Sequence, residues 1–187
     1  MTELSQHDRE FVRQLKDAGV LKDVADQRLD QVNGIILVTC GDGDETPELL
    51  EFVRERMRLR NIKPRIHQLA LNGGALLIPS RSPVNTDGDG NVMLKHVVKS
   101  NGIKGIRTVA LYAHAPCGAA GEAGINLRDV VALLFEAKDE ILRHADLDVA
   151  CFLHVDHGQE KRRTYYVSRT AWNNMHLRSD SEIPMAT

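Results

Sequence analysis

Aromatic side chains are scarce in this chain, 4% of its residues. That scarcity argues against a surface that stacks nucleic-acid bases. Excess positive charge is lacking as well. The 24 Lys and Arg stand against 26 Asp and Glu, a net charge of −2, so no basic stripe is available for a phosphate backbone. No apolar run approaches the ~18–20 residues a bilayer-crossing helix needs, so no membrane partner is expected. The opening MTELSQHDREFVRQLKDAG is charged and has no apolar signal-peptide core. Three widely spaced cysteines do not make a disulfide framework, and a reduced, cytoplasmic setting is expected. What is present is ordinary for a globular protein: 42% hydrophobic and 27% charged residues in 187 positions. That length suits one domain with a sizeable core. With no internal repeat and no linker, 1–187 is read as a single domain, its first 32 residues a helical arm and 176–187 a loose tail.

The apolar spacing then gives an order of elements. Phe11, Val12, Leu15 and Ala18 repeat at helical period, with Ser5 and Asp8 placed to cap the start. A second short helix is expected over 21–31. Residues 35–39 read as a buried strand, and Pro47 suits the first turn of a helix reaching about Arg60, with Leu49, Leu50, Val53 and Met57 inward. RIHQLAL (65–71) is a strand closed by Asn72–Gly73–Gly74, whose small residues permit close backbone approach. A Pro/Gly/Asp-rich loop over 79–91 and a short helix over 92–100 follow. RTVALYAH (107–114) is the third strand, and Asn126 caps a helix of about 127–144. DVACFLHV (148–155) and an antiparallel edge strand RTYYVS (163–168) complete the series. Strands alternating with helices predict an α/β fold, a mostly parallel sheet flanked by helices on both faces.

In such a sheet the C-terminal strand ends share one edge, where open α/β folds hold ligands. The first strand ends in Cys40–Gly41–Asp42–Gly43–Asp44 and the third in His114–Ala115–Pro116–Cys117. If those strands are neighbours, Cys40, His114 and Cys117 converge. Two thiolates and an imidazole are a good zinc set, with a fourth position left over. Asp42 either takes that position or hydrogen-bonds a water there. The alternative is that each cysteine is a small buried hydrophobe.

ILVTCGDGD resembles the first motif of the β-class carbonic anhydrase family, an apolar strand followed by Cys-x-Asp-x-Arg. YAHAPCGAA resembles the second, His-x-x-Cys-Gly-Ala, and LALNGGA is similar to the Arg-Asn-Ala-Gly-Asn segment between them. The resemblance covers roughly 33–155. It implies Zn2+ held by Cys40, His114 and Cys117, and reversible hydration of CO2 to bicarbonate by zinc-bound hydroxide, with Asp42 accepting a hydrogen bond from that hydroxide. It also implies a homodimer or larger assembly, with N-terminal helices packed across the dimer. Related small linear molecules, carbonyl sulfide or carbon disulfide, are alternative substrates on the same fold.

The motif's arginine is replaced by Asp44, which adds negative potential beside Asp42. Either the two carboxyls share a proton, or Asp42 swings onto the metal and closes the site. The latter would leave a non-catalytic zinc protein. Arg65, Arg81 and Arg128 are candidates to replace the missing arginine in space. NTDGDGNVMLKH (85–96) has calcium-loop spacing, but His96 stands where a bidentate Glu is needed, so a polar turn is the reading. Cys151-x-x-His154 on a strand points to opposite faces. Cys151 is therefore read as core, and His154 and His157 as surface residues, or as proton shuttles if they lie near the site.

Overall fold

The computed structural model describes residues 3–24, 33–42, 45–159 and 161–181. Helix α1 (Gln6–Asp17) starts where Ser5 accepts the Asp8 N–H at 3.0 Å, and it buries Phe11, Val12 and Leu15. The chain then turns into strand β1 (Leu21–Asp23), not the expected helix. Pairing decides this: Leu21 to Asp23 run antiparallel to Val167, Tyr166 and Tyr165. A tertiary ladder overrides local helix preference here. The rest of that expected helix, 25–31, lies outside the described residues.

Strand β2 (Ile35–Cys40) is buried at all six positions, as a central parallel strand should be. Helix α2 (Thr46–Arg58) carries it across to β3 (Ile66–Leu71). A short 3-10 turn at Gly74–Leu77 leads to α3 (Asp89–Lys104), which starts three residues before the expected 92–100 and ends four beyond it. Strand β4 (Thr108–Ala115), the short helix α4 (Gly118–Glu122), α5 (Leu127–His144) and β5 (Asp148–Asp156) follow. The α5 start is the expected one, a capping box in which Asn126 and Asp129 satisfy each other's backbone N–H groups. Strand β6 (Arg162–Val167) and helix α6 (Arg169–Ser181) close the chain. The expected loose tail is thus helical as far as Ser181. Trp172 anchors α6 between Phe11 and Phe135, at ring distances of 6.5 and 6.0 Å.

The sheet order is β1-β6-β5-β4-β2-β3. Strands β3, β2, β4 and β5 are mutually parallel, and β6 and β1 extend the β5 edge antiparallel. The α/β architecture expected from sequence is the one observed. Alternate residues serve opposite faces. Ile36, Val38, Leu111, Cys151 and Leu153 belong to the core that includes α1 and α5. Ile35, Leu37, Tyr112 and Phe152 belong to the core that includes Leu49, Val53 and Met57 of α2. After β2 the chain crosses to β3 on one side, and β4 lies on the other. Order therefore reverses between β2 and β4, which makes that crevice the topological switch point.

Candidate metal centre

The β2–β4 ladder stops at Val38 opposite Leu111. Beyond it the strands part, and the loaded residues stand in the opening. Cys40 is the last residue of β2, His114 the penultimate residue of β4, and Cys117 follows a cis Ala115–Pro116 bond. The ligand atoms of Cys40, His114 and Cys117 all lie within 4.8 Å of one another, and all three residues are buried. The two cysteines belong to the α5-side core. His114 follows the period-two alternation onto the α2 side, so the set straddles the sheet edge.

The surroundings favour ionised sulfur. The Gly73 N–H donates to Cys40 Sγ at 3.3 Å. That donor is held close because Gly74 packs against the backbone of Thr39 and Cys40; a Cβ on Gly74 would lie 2.4 Å from the Thr39 carbonyl carbon. The small residues after β3 therefore serve the close approach that the sequence suggested. The adjoining Cys117 side chain is the largest influence holding the Cys40 thiol well below ordinary cysteine; burial opposes it, and His114 and Gly73 assist. Cys117 is pushed up correspondingly, by the adjoining Cys40 sulfur and by burial. The pair thus gives up a first proton readily and shares the second. Burial alone would depress His114, but the neighbouring Cys40 sulfur, with the charges of Asp42 and Glu45, raises it.

Both ring nitrogens of His114 are buried without a hydrogen bond. A buried imidazole left so is costly and calls for a partner. A borderline-soft divalent ion bound by two sulfurs and one nitrogen supplies it, and the donor set fits zinc. Asp42 lies beside the set, its Oδ2 3.9 Å from His114 Nε2. Asp44 falls outside the described residues.

Neither a protein-family model nor a curated protein sequence matches the chain. Among solved structures it is similar to the β-carbonic anhydrase CafD of the filamentous fungus Aspergillus fumigatus, at 12% identity and a TM-score of 0.45 over 79% of this chain and 99% of that one. It is also similar to a carbonic anhydrase from Streptococcus mutans, at 14% identity and a TM-score of 0.41 over 88% of this chain and 99% of that one.

A narrow cavity of about 10 Å³ abuts the site, lined by Cys40, Asp42, Glu45, Tyr112, His114 and His154 among others. That is about the room one water needs. His154 corrects the sequence reading, for it is 6% exposed and not a surface residue. Its strand pairs with β4 so that His114 and His154 stand side by side. Burial lowers His154 more than Glu48 raises it, and burial raises Glu45 against the pull of Arg162. Cys151 behaves as expected, a core thiol under α5 that donates to the Leu134 carbonyl. His157 is half-buried against the Tyr165 hydroxyl at 3.1 Å.

The three arginine candidates have other partners. Arg65 donates to the Asn33 and Lys104 carbonyls, at the opposite end of the strands. Arg81 pairs with Glu136, and Arg128 lies over the Phe11 ring. Arg162, bonded to Glu48 and Asp156, lies beside His154 of the cavity lining. Glu45, Glu48 and Arg162 escaped the sequence reading, and His154 was placed at the surface by it. The signal for them was the i, i+3 pair on the first turn of α2 and the equal height of the histidines in YAHA and FLHV.

Proposed function

We propose that this chain is a zinc-dependent hydratase of the carbonic anhydrase type, converting CO2 to bicarbonate, with the metal held by Cys40, His114 and Cys117. The observation that carries this reading is the buried Cys–His–Cys set at the switch point, with both His114 nitrogens lacking a hydrogen bond and Cys40 primed as thiolate. When bound, zinc supplies Lewis acidity and lowers the pKa of a water at its open position. The chain's own groups do the rest. Gly73 N–H stabilises the Cys40 thiolate that ligation requires. Asp42 Oδ2, beside His114, accepts a hydrogen bond from the reacting water and fixes its orientation. Leu49, Tyr112 and Ala113 contribute an apolar wall to the cavity beside the set, which has room for about one water. CO2, carbonyl sulfide and carbon disulfide are the small linear molecules to test; CO2 is the first choice by motif.

A second reading keeps the metal and drops the chemistry. Asp42 lies near enough to His114 to join the three ligands and close the site, and Asp44 stands where the motif has the arginine that restrains it. Stopped-flow CO2 hydration on samples of known zinc content separates the two. Turnover with about one zinc per chain supports the hydratase. Zinc without turnover on CO2, carbonyl sulfide or carbon disulfide supports closure, and Asp44→Arg then restores activity.

A further inference from the structure

Glu45, Glu48 and His154 form a second convergent set, distinct from the thiolates. Glu45 sits at the start of α2, and Glu48 one turn on. His154 is the residue of β5 level with His114. Its Nε2 faces both carboxylates, 3.1 Å from Glu45 Oε2 and 3.7 Å from Glu48 Oε2. Two donors each about 2.1 Å from one ion are about 3.0–3.5 Å apart at ordinary ligand angles, so the Glu45 separation suits a shared cation and Glu48 Oε2 needs to close in by only a few tenths of an ångström. The His154 side chain is 8% exposed. Neither its Nε2 nor Glu45 Oε2 makes a hydrogen bond, although both atoms are buried. Two such atoms aimed at one point, at ligand spacing, are unfinished as a hydrogen-bonded pair and complete as two corners of a coordination polyhedron.

The outer partners support the same reading. His154 Nδ1 lies 2.8 Å from Thr164 Oγ1, which fixes the ring with Nε2 turned to the carboxylates, the usual second contact of a ligating histidine. Arg162 takes Glu48 Oε1 at 2.8 Å and Asp156 Oδ2 at 3.1 Å, leaving Glu48 Oε2 for His154. Three carboxylates against one guanidinium leave two net negative charges in a partly buried site when His154 is neutral. A divalent cation brings that to zero. A cavity of about 450 Å³ reaches Glu48, His154, Arg162 and Thr164 and offers the ion a way in.

We propose that Glu45, Glu48 and His154 form a second metal site, for a divalent transition ion preferring oxygen and nitrogen ligands, beside the thiolate set and independent of it. Because hard ions avoid thiolates, Mn2+ reads this site without reporting on Cys40 and Cys117. The test uses the full chain of measured zinc content, titrated with Mn2+ and followed by loss of the free-ion electron paramagnetic resonance signal. About one Mn2+ per chain is expected, displaced by excess Zn2+. Glu45→Gln and His154→Gln should each weaken Mn2+ at least tenfold, and Thr164→Val about tenfold. The share of bound zinc that Cys117→Ser removes is expected to stay as in the parent. Glu45→Gln tests the proposal in a folded protein, because the Glu45 side chain makes no capping bond. Absence of Mn2+ binding, or binding indifferent to both Glu45→Gln and His154→Gln, would overturn the site. A parent protein free of zinc yet binding Mn2+ would instead count against the thiolate centre alone.

Discussion

Gly74→Ala tests the link between the loop after β3 and the metal centre. Gly74 has φ +51°, and a Cβ there would lie 2.4 Å from the Thr39 carbonyl carbon and 2.5 Å from the Cys40 nitrogen. Two costs follow. Placing an L side chain in the left-handed region costs about 1–2 kcal/mol. Relieving a contact with backbone, which has no rotamer to change, costs about a further 1–3 kcal/mol, as overpacking does. The sum, about 2–5 kcal/mol, is a large part of a typical total of 5–15. Gly105→Ala is the matched control: φ is +63°, with nothing within 4 Å of the added Cβ. It should lose the first cost only. Urea unfolding of both variants isolates the contact contribution. Zinc retention gives a second readout, because moving Gly74 moves the Gly73 N–H off Cys40 Sγ. Gly74→Ala should therefore release zinc to a chelator faster than Gly105→Ala. The reasoning is refuted if the two variants lose equal stability, within about 0.5 kcal/mol, and hold zinc alike.

Three further outcomes are expected. Cys117→Ser should sharply lower bound zinc, measured as metal per chain; unchanged stoichiometry would remove Cys117 from the ligand set. In chelator-treated protein, alkylation mapped by mass spectrometry should reach Cys40 before Cys151. Burial pushes Cys151 up to about 12, whereas Cys40 is lowered, and the thiolate is the reactive form; labelling of Cys151 first in the folded protein would contradict this. Burial tends to raise Asp156, but the Gly158 N–H and Arg162 outweigh it and hold the carboxyl below its usual value. Stability from a depressed carboxyl is present above the ordinary carboxylate range and lost as pH falls through the folded value. Asp156→Asn should thus be less stable than the parent at neutral pH, with the gap closing below about pH 4; a gap constant from pH 7 to pH 3 would exclude the carboxylate's charge as the cause.

The parallel strands were legible because their apolar runs are uninterrupted: Ile35–Val38 and Val109–Tyr112 have no second use for such a pattern. The α5 boundaries were legible from Asn126 and the 3.6-residue stripe of Leu127, Val130, Val131 and Leu134. Strand β1 was not, because three residues carry no period; only Val167, Tyr166 and Tyr165 opposite make them a strand. Helix α6 was hidden for a related reason. Its mixed surface gives no clear stripe, and what holds it is Trp172 between Phe11 and Phe135, far apart in sequence.

By itself the sequence determined the α/β class and the chemistry available at each strand end, since apolar period and ligand type are local properties. It named Cys40, His114 and Cys117 but left their meeting conditional on two strands being neighbours. Tertiary structure decided that condition, by placing β2 beside β4 and parting them after Val38 and Leu111. It also turned His154 inward to Glu45 and Glu48, and committed Arg65, Arg81 and Arg128 elsewhere. Strand order and the height at which neighbouring strands register are set by packing across the whole sheet, so no local stretch of chain encodes them.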